Sequence, residues 1–306
     1  MLLLRSLKIR VIQAKHEYDS CDSDGEKIMQ YAVNNELKKS DTKMIQGLAV
    51  LAMVILHLFD TLEYRGKFTP LIYFGEYPII YYFAQLSDFC VMAFAFCSGY
   101  AHMTQYGNAS YFKHRLIRLL GVYINFWIIL VLFSIISVLI GNGAQMPGNL
   151  QTFMGNFTTL HLSYNGAWWY LLTYAFIIFS SPLLLSLSKF SSKGKTIAVF
   201  GFMAVVYGIS YYERFKVQSS NWFVYQAVLY GMTMVEYMMG SIAFDRKLFT
   251  RLLNLWNKIF HNKFFDVVAS ALLFIMLLWG RTKVIPSSFA APISGFILGL
   301  ICRLVI

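Results

Sequence analysis

Eight apolar stretches, each about long enough to cross a bilayer core of ~30 Å, run through this chain of 306 residues. They lie near 44–60, 79–103, 116–140, 167–187, 195–212, 222–244, 264–280 and 284–305. No other feature constrains the fold as strongly. In hydrocarbon every backbone N–H and C=O must be satisfied within the protein, and the stretches lack the alternation of a barrel strand, so helices are the spanning solution. The expected fold is therefore all-α, a polytopic transmembrane helical bundle. Charged residues are only 13% of the chain against about 25% in soluble domains. The net charge of +11 would suggest nucleic acid in a soluble protein. Here the basic residues sit between apolar runs, where they face anionic lipid, and no nucleic-acid partner is expected.

The same residues set the orientation. Eight Lys/Arg precede the first run, whereas the next segment holds only Arg65 and Lys67. Lys113 and Arg115 follow, then a stretch, 141–166, with none. The alternation continues to the end and places the N-terminus in the cytoplasm of a plasma-membrane protein. Residues 1–42 read as a weakly ordered cytoplasmic tail and 43–306 as the membrane-embedded domain. Cys90, Cys97 and Cys302 lie in apolar runs without metal spacing, so reduced packing cysteines and no metal are expected.

Against this background a few polar residues stand out. His57 lies in MIQGLAVLAMVILHLF, residues 44–59, and an ionisable group inside a span is a functional candidate. An imidazole also titrates near neutrality. Counting ~1.5 Å per residue, His57 and Asp88 of the second run fall at similar depth. A carboxylate beside an imidazole would orient it and strengthen it as a base. Asp60, three positions on, is a rival partner. A histidine held by a backbone carbonyl for packing alone is the competing reading. Glu236 is the other acid deep in a run, either paired with a base or structural.

Lys113, His114, Arg115 and Arg118 open the third run, with His114 and Arg118 on one face. Basic side chains at a helix N-terminus suit an anion, because free N–H groups and the dipole add to their charge. Lipid headgroup contact is the plainer alternative. Trp168 and Trp169 begin the fourth run, as an interfacial belt or a platform for a sugar ring.

Four segments in order resemble the acyltransferase-3 family of integral membrane O-acyltransferases, most closely its branch acting on surface polysaccharides. They are KKSDTKMIQGLAVLAMVILHLF (38–59), CVMAFAFCSGY (90–100), YFKHRLIRLLGVY (111–123) and AWWYLLTYAFIIFSSPLL (167–184). The family's first helix carries a Lys or Arg, ten intervening residues, then a His. Eleven positions return to within ~20° of the start, so both groups share a face. In this chain the His is His57, but Gln46 replaces the base, with Lys43 one turn earlier. The family typically has about ten membrane helices, and this chain shows eight.

The resemblance implies transfer of an acyl group, acetyl above all, from an acyl-CoA to a hydroxyl of a cell-surface or lipid-linked carbohydrate. Arg115, Arg118, His114 and Lys113 would hold the CoA phosphates, with Ser98 near the thioester. His57 would act as base or acyl carrier, oriented by Asp88 or Asp60. Trp168, Trp169, Gln46 and Glu236 are candidates for the acceptor side. Membrane lipids, the carbohydrate acceptor and polysaccharide-synthesis machinery are the expected partners. A transporter using Asp88, Glu236 and His57 as a proton path, or an inactive remnant of the family, are the alternatives.

Overall fold

The computed structural model describes residues 36–61, 69–190, 192–259, 263–279 and 291–305. Most of the expected tail, residues 1–35, lies outside them. Its last residues do not: helix α1 (Lys39–Phe59) begins inside the expected tail, and Asp41 in its first turn is buried. Short α2 (Ile79–Leu86), a 3-10 turn (Ser87–Phe89) and α3 (Cys90–Gln105) follow. Then come α4 (Tyr111–Leu139), α5 (Leu150–Phe157), α6 (Trp169–Ser188), α7 (Lys193–Tyr212) and α8 (Trp222–Asp245). The last are α9 (Leu248–Ile259), α10 (Lys263–Trp279) and α11 (Ala291–Val305). A two-residue hairpin, β1 (Tyr73–Phe74) with β2 (Tyr77–Pro78), precedes α2.

Among the described residues, six helical stretches are long and apolar enough to cross a membrane, ending with α8. Over the last two of the eight expected spans the described residues hold α10, of 17 residues, and α11, of 15. The protein is an all-α polytopic helical bundle.

α8 is the axial helix. Its residues from Val228 to Ala243 are almost all buried, and α3, α6, α7 and α11 pack around it. A helix apolar on every side belongs in a core. α4 is the opposite case. Its buried stripe holds Tyr111, Arg115 and Leu119 near one end, while Ile128, Leu132, Phe133 and many others are exposed. In a bundle of this composition that apolar outer face meets lipid.

The closest packing is between α3 and α8, and glycine permits it. A Cβ on Gly99 would stand 1.8 Å from the Tyr237 carbonyl oxygen, and one on Gly240 would stand 2.0 Å from that of Phe96. Each helix lays bare backbone against the other, the small-residue contact that membrane helices use when lipid removes any hydrophobic drive to associate.

Two irregularities lie close to polar clusters. Ser87 and Asp88 break the second span, where the sequence suggests one helix. The Ser87 hydroxyl donates to the Phe83 carbonyl at 2.7 Å, and such side chains compete with the helix for backbone groups. Pro182 lies inside α6 and cannot donate to the Ile178 carbonyl. The Ser181 hydroxyl donates to that oxygen instead, at 2.8 Å.

The stretch without basic residues is folded. Buried Asn156 donates to Thr152 and Ser163 and accepts from the Ser163 and Tyr164 amides. The Trp127 and Trp222 indoles donate to the Phe157 and Leu160 carbonyls, tying the stretch to α4 and α8.

Candidate active site

The polar side chains converge where α3, α4, α6 and α8 meet. From α3 come Ser98, His102 and Gln105, one helical face at four- and three-residue steps. His102 is 3% exposed, and its Nδ1 lies 2.9 Å from the Tyr237 hydroxyl of α8. Its ring meets Tyr111 and Tyr237 edge-on, at 6.0 and 5.6 Å. The Tyr111 hydroxyl donates to Ser181 of α6 at 3.0 Å. One cluster thus links four helices and reaches the serine that repairs the proline break. Ser98 is hydrogen-bonded to Tyr174 of α6.

Arg115 is the charge at its centre. It is 3% exposed, donates to the Gln105 side chain, and lies over the Tyr111 ring at 5.5 Å. Both partners are neutral, and its buried Nε makes no hydrogen bond. The charge that bears most on it is Arg118, of the same sign. A buried cation with neutral partners and a like-charged neighbour calls for an anion, since an uncompensated buried charge is strongly destabilising. The N-terminal end of α4 adds its dipole in the same sense.

The structure turns the opening of α4 differently from the sequence reading. There His114 and Arg118 share the face of interest. In the fold Tyr111, Arg115 and Leu119 form the inward stripe, His114 is half-buried, and Lys113 and Arg118 are exposed. Arg115 therefore meets the bundle interior, while Lys113 and Arg118 stand at its rim.

The first helix is also resolved in detail. Its buried stripe is Asp41, Ile45, Ala49 and Ala52, against α3 and α11. His57 lies eight positions after Ala49, about 80° around the helix, and is exposed in the last turn. Gln46 is half-buried on the same flank. Asp60 ends α1 as its C-cap. Asp88 is half-buried in the 3-10 turn, and that turn packs against α1. Among the described residues His57 forms no hydrogen bond or ion pair, so neither acid is engaged with it. Glu236 is 4% exposed on the axial helix, near enough to act on Tyr170. Trp168 packs edge-on to Phe126 at 5.1 Å, and Trp169 to Tyr170 at 5.8 Å.

Residue-by-residue reading did not single out His102, Tyr237, Tyr111 or Gln105. For His102 the signal was present: it is an ionisable group four positions after Ser98 in an apolar run, the criterion that selects His57. For the tyrosines there was none, because one hydroxyl among many aromatics acquires a role only from its neighbours.

A family model described as an acyltransferase domain matches residues 43–305. The chain belongs to the acyltransferase-3 family. No curated protein and no solved structure matches it. The protein is thus an acyltransferase of a membrane family, and the arginine–tyrosine–histidine cluster lies within the matched region.

Proposed function

We propose that this acyltransferase transfers an acyl group, acetyl above all, from an acyl-CoA to a hydroxyl of a cell-surface or lipid-linked carbohydrate at the plasma membrane. The observation that supports it is Arg115: a buried guanidinium with neutral partners, an open Nε and Arg118 beside it. Guanidinium groups bind phosphate oxygens bidentately, and a CoA donor carries several phosphates. Arg115 and Arg118 would hold those phosphates, with Lys113 and His114 at the rim.

The acceptor oxygen forms the new ester bond as the carbon–sulfur bond of the donor breaks. The electron pair leaves with the thiolate, and the hydroxyl proton needs a base. His102 is poorly suited, because it is buried with its Nδ1 engaged by the Tyr237 hydroxyl. Its part is to hold Tyr237. His57, which is exposed, is the base in this reading. It lies some 20 Å from Arg115 along the bundle, counting helix rise from the shared end of α1 and α4. The long pantetheine arm of a CoA donor suits such a separation.

The test is equilibrium binding of labelled acetyl-CoA to purified protein. Wild type should bind, and Arg115→Ala should bind tens-fold more weakly, the loss of one or two charge-assisted hydrogen bonds of ~1.5–3 kcal/mol in all. Equal binding by both would remove the donor assignment.

A further inference from the structure

The other end of the bundle carries a second polar site. α7 starts at the same end as α4 and ends ~30 Å away after twenty residues. There the chain widens into a π-turn, Glu213–Val217, and Gln218 follows at φ 53°, ψ 50°. A non-glycine residue in the left-handed region carries strain, and single π-turns gather at functional sites. Between this turn and the start of α8 lies a cavity of about 340 Å³. Its polar wall is Glu213, Arg214, Gln218, Ser219 and Tyr225, and its apolar floor is Val224 and Val228.

The donor and acceptor set decides what fits. A carboxylate accepts only and a guanidinium donates only, whereas an amide and two hydroxyls do both. An anion would meet Glu213 and a cation would meet Arg214. An apolar tail would use none of the donors and acceptors of this wall, of which Arg214, Gln218 and Tyr225 are open to water. A neutral ring rich in hydroxyls satisfies donors and acceptors alike and rests its C–H face on the valines. The volume is at the small end for ligand sites, enough for about one ring. The groups are also available. Arg214 is steadied by the Phe215 ring at 5.6 Å and the Met232 sulfur at 3.8 Å. Among the described residues the Glu213 carboxylate and the Gln218 amide make no side-chain hydrogen bond or ion pair. The folded 150–165 stretch adjoins it through Trp222, three residues before Tyr225.

We infer that this cavity binds one sugar residue of the acceptor, a docking subsite at the end of the bundle opposite Arg115; the inference rests on the carbohydrate acceptor of the proposed function. A polymeric acceptor held there would present further residues to the reacting end.

Saturation-transfer NMR on purified protein in lipid nanodiscs tests it. The probes are neutral hexose and N-acetylhexosamine oligomers, with glycerophosphoethanolamine as the lipid-headgroup probe. Wild type should pass saturation to ring protons of at least one oligomer. Gln218→Ala and Glu213→Gln should weaken that transfer fivefold or more, with acetyl-CoA binding unchanged. Ser219→Ala, a loop substitution that leaves both helices intact, provides a third variant should either of these misfold. No oligomer signal, a signal unchanged in the folded variants, or a signal from the headgroup probe alone overturns the subsite. Oligomer binding that the variants lose, in a protein that binds no acetyl-CoA, keeps the subsite and removes the donor reading instead.

Discussion

At the scale of single residues, the proposed reaction rests on His57 as base and Arg115 as donor anchor, with His102 a packing partner of Tyr237. Among the described residues His57 stands exposed without a hydrogen bond, and His102 is buried against Tyr237 beside two arginines. The two positions give opposite expectations. His57→Ala should abolish acyl transfer while acetyl-CoA binding and thermal unfolding stay as in wild type. His102→Ala should retain measurable transfer but unfold at lower temperature, by about 0.5–1.5 kcal/mol, because the Tyr237 hydroxyl loses one of its hydrogen-bond partners inside the bundle. Full transfer by the His57 variant in a product assay would move the base elsewhere. Gln46 offers a further check. It shares His57's flank and occupies the position where the family carries a base, so Gln46→Lys should preserve or raise the turnover rate; a clear loss would give Gln46 a role of its own.

At the scale of elements, the α3–α8 pair is the contact on which the site depends. Ser98, His102 and Gln105 are on one member, Glu236 and Tyr237 on the other, and the helices meet through Gly99 and Gly240. Gly99→Ala or Gly240→Ala places a methyl on a carbonyl oxygen, and backbone must move. Overpacking of this kind costs about 1–3 kcal/mol and more where backbone is the obstacle. Both variants should therefore unfold at lower temperature in detergent and lose donor binding, since Tyr237 and His102 shift with their helices. Gly121 faces open space, and Gly121→Ala should be silent in the same assays. The elements themselves were largely legible in the sequence, because twenty apolar residues in a row leave the backbone no alternative to a helix. The 3-10 break at Ser87–Phe89 and the π-turn after α7 were not. The first reflects local competition for backbone hydrogen bonds, with the Ser87 hydroxyl donating to the Phe83 carbonyl, which apolar run length does not encode.

At the scale of the molecule, the first and last of the described helices meet. Asp41 in α1 pairs with Arg303 in α11 at 3.4 Å, with only 2% and 10% of the side chains exposed. Close by, Glu36 accepts hydrogen bonds from Tyr100 of α3 and Thr250 of α9. Arg303→Ala should leave Asp41 buried with, among the described residues, the Lys38 amide and the Ser40 hydroxyl as partners. Breaking a buried pair costs ~3–5 kcal/mol when one charge is left alone, and the two remaining bonds place this case at the lower end. The expected result is a clear drop in melting temperature with bound acetyl-CoA still protecting. Arg303→Ala together with Asp41→Asn should recover much of the loss, since no charge then stays buried.

The sequence by itself determined that the chain is a helical membrane bundle, where its helices run, and that it resembles membrane acyltransferases. Those properties follow from run length, loop charge and short ordered segments, all local. It also marked His57 and the basic opening of α4. What only the tertiary structure decided is which of these groups face one another. Arg115 rather than Arg118 turns inward because it shares a stripe with Tyr111 and Leu119. His102 enters the cluster because Gly99 and Gly240 bring α3 onto α8. Helical periodicity fixes the angles within one helix. The rotation of one helix against the next is set by close packing across the pair, which no single stretch of sequence contains.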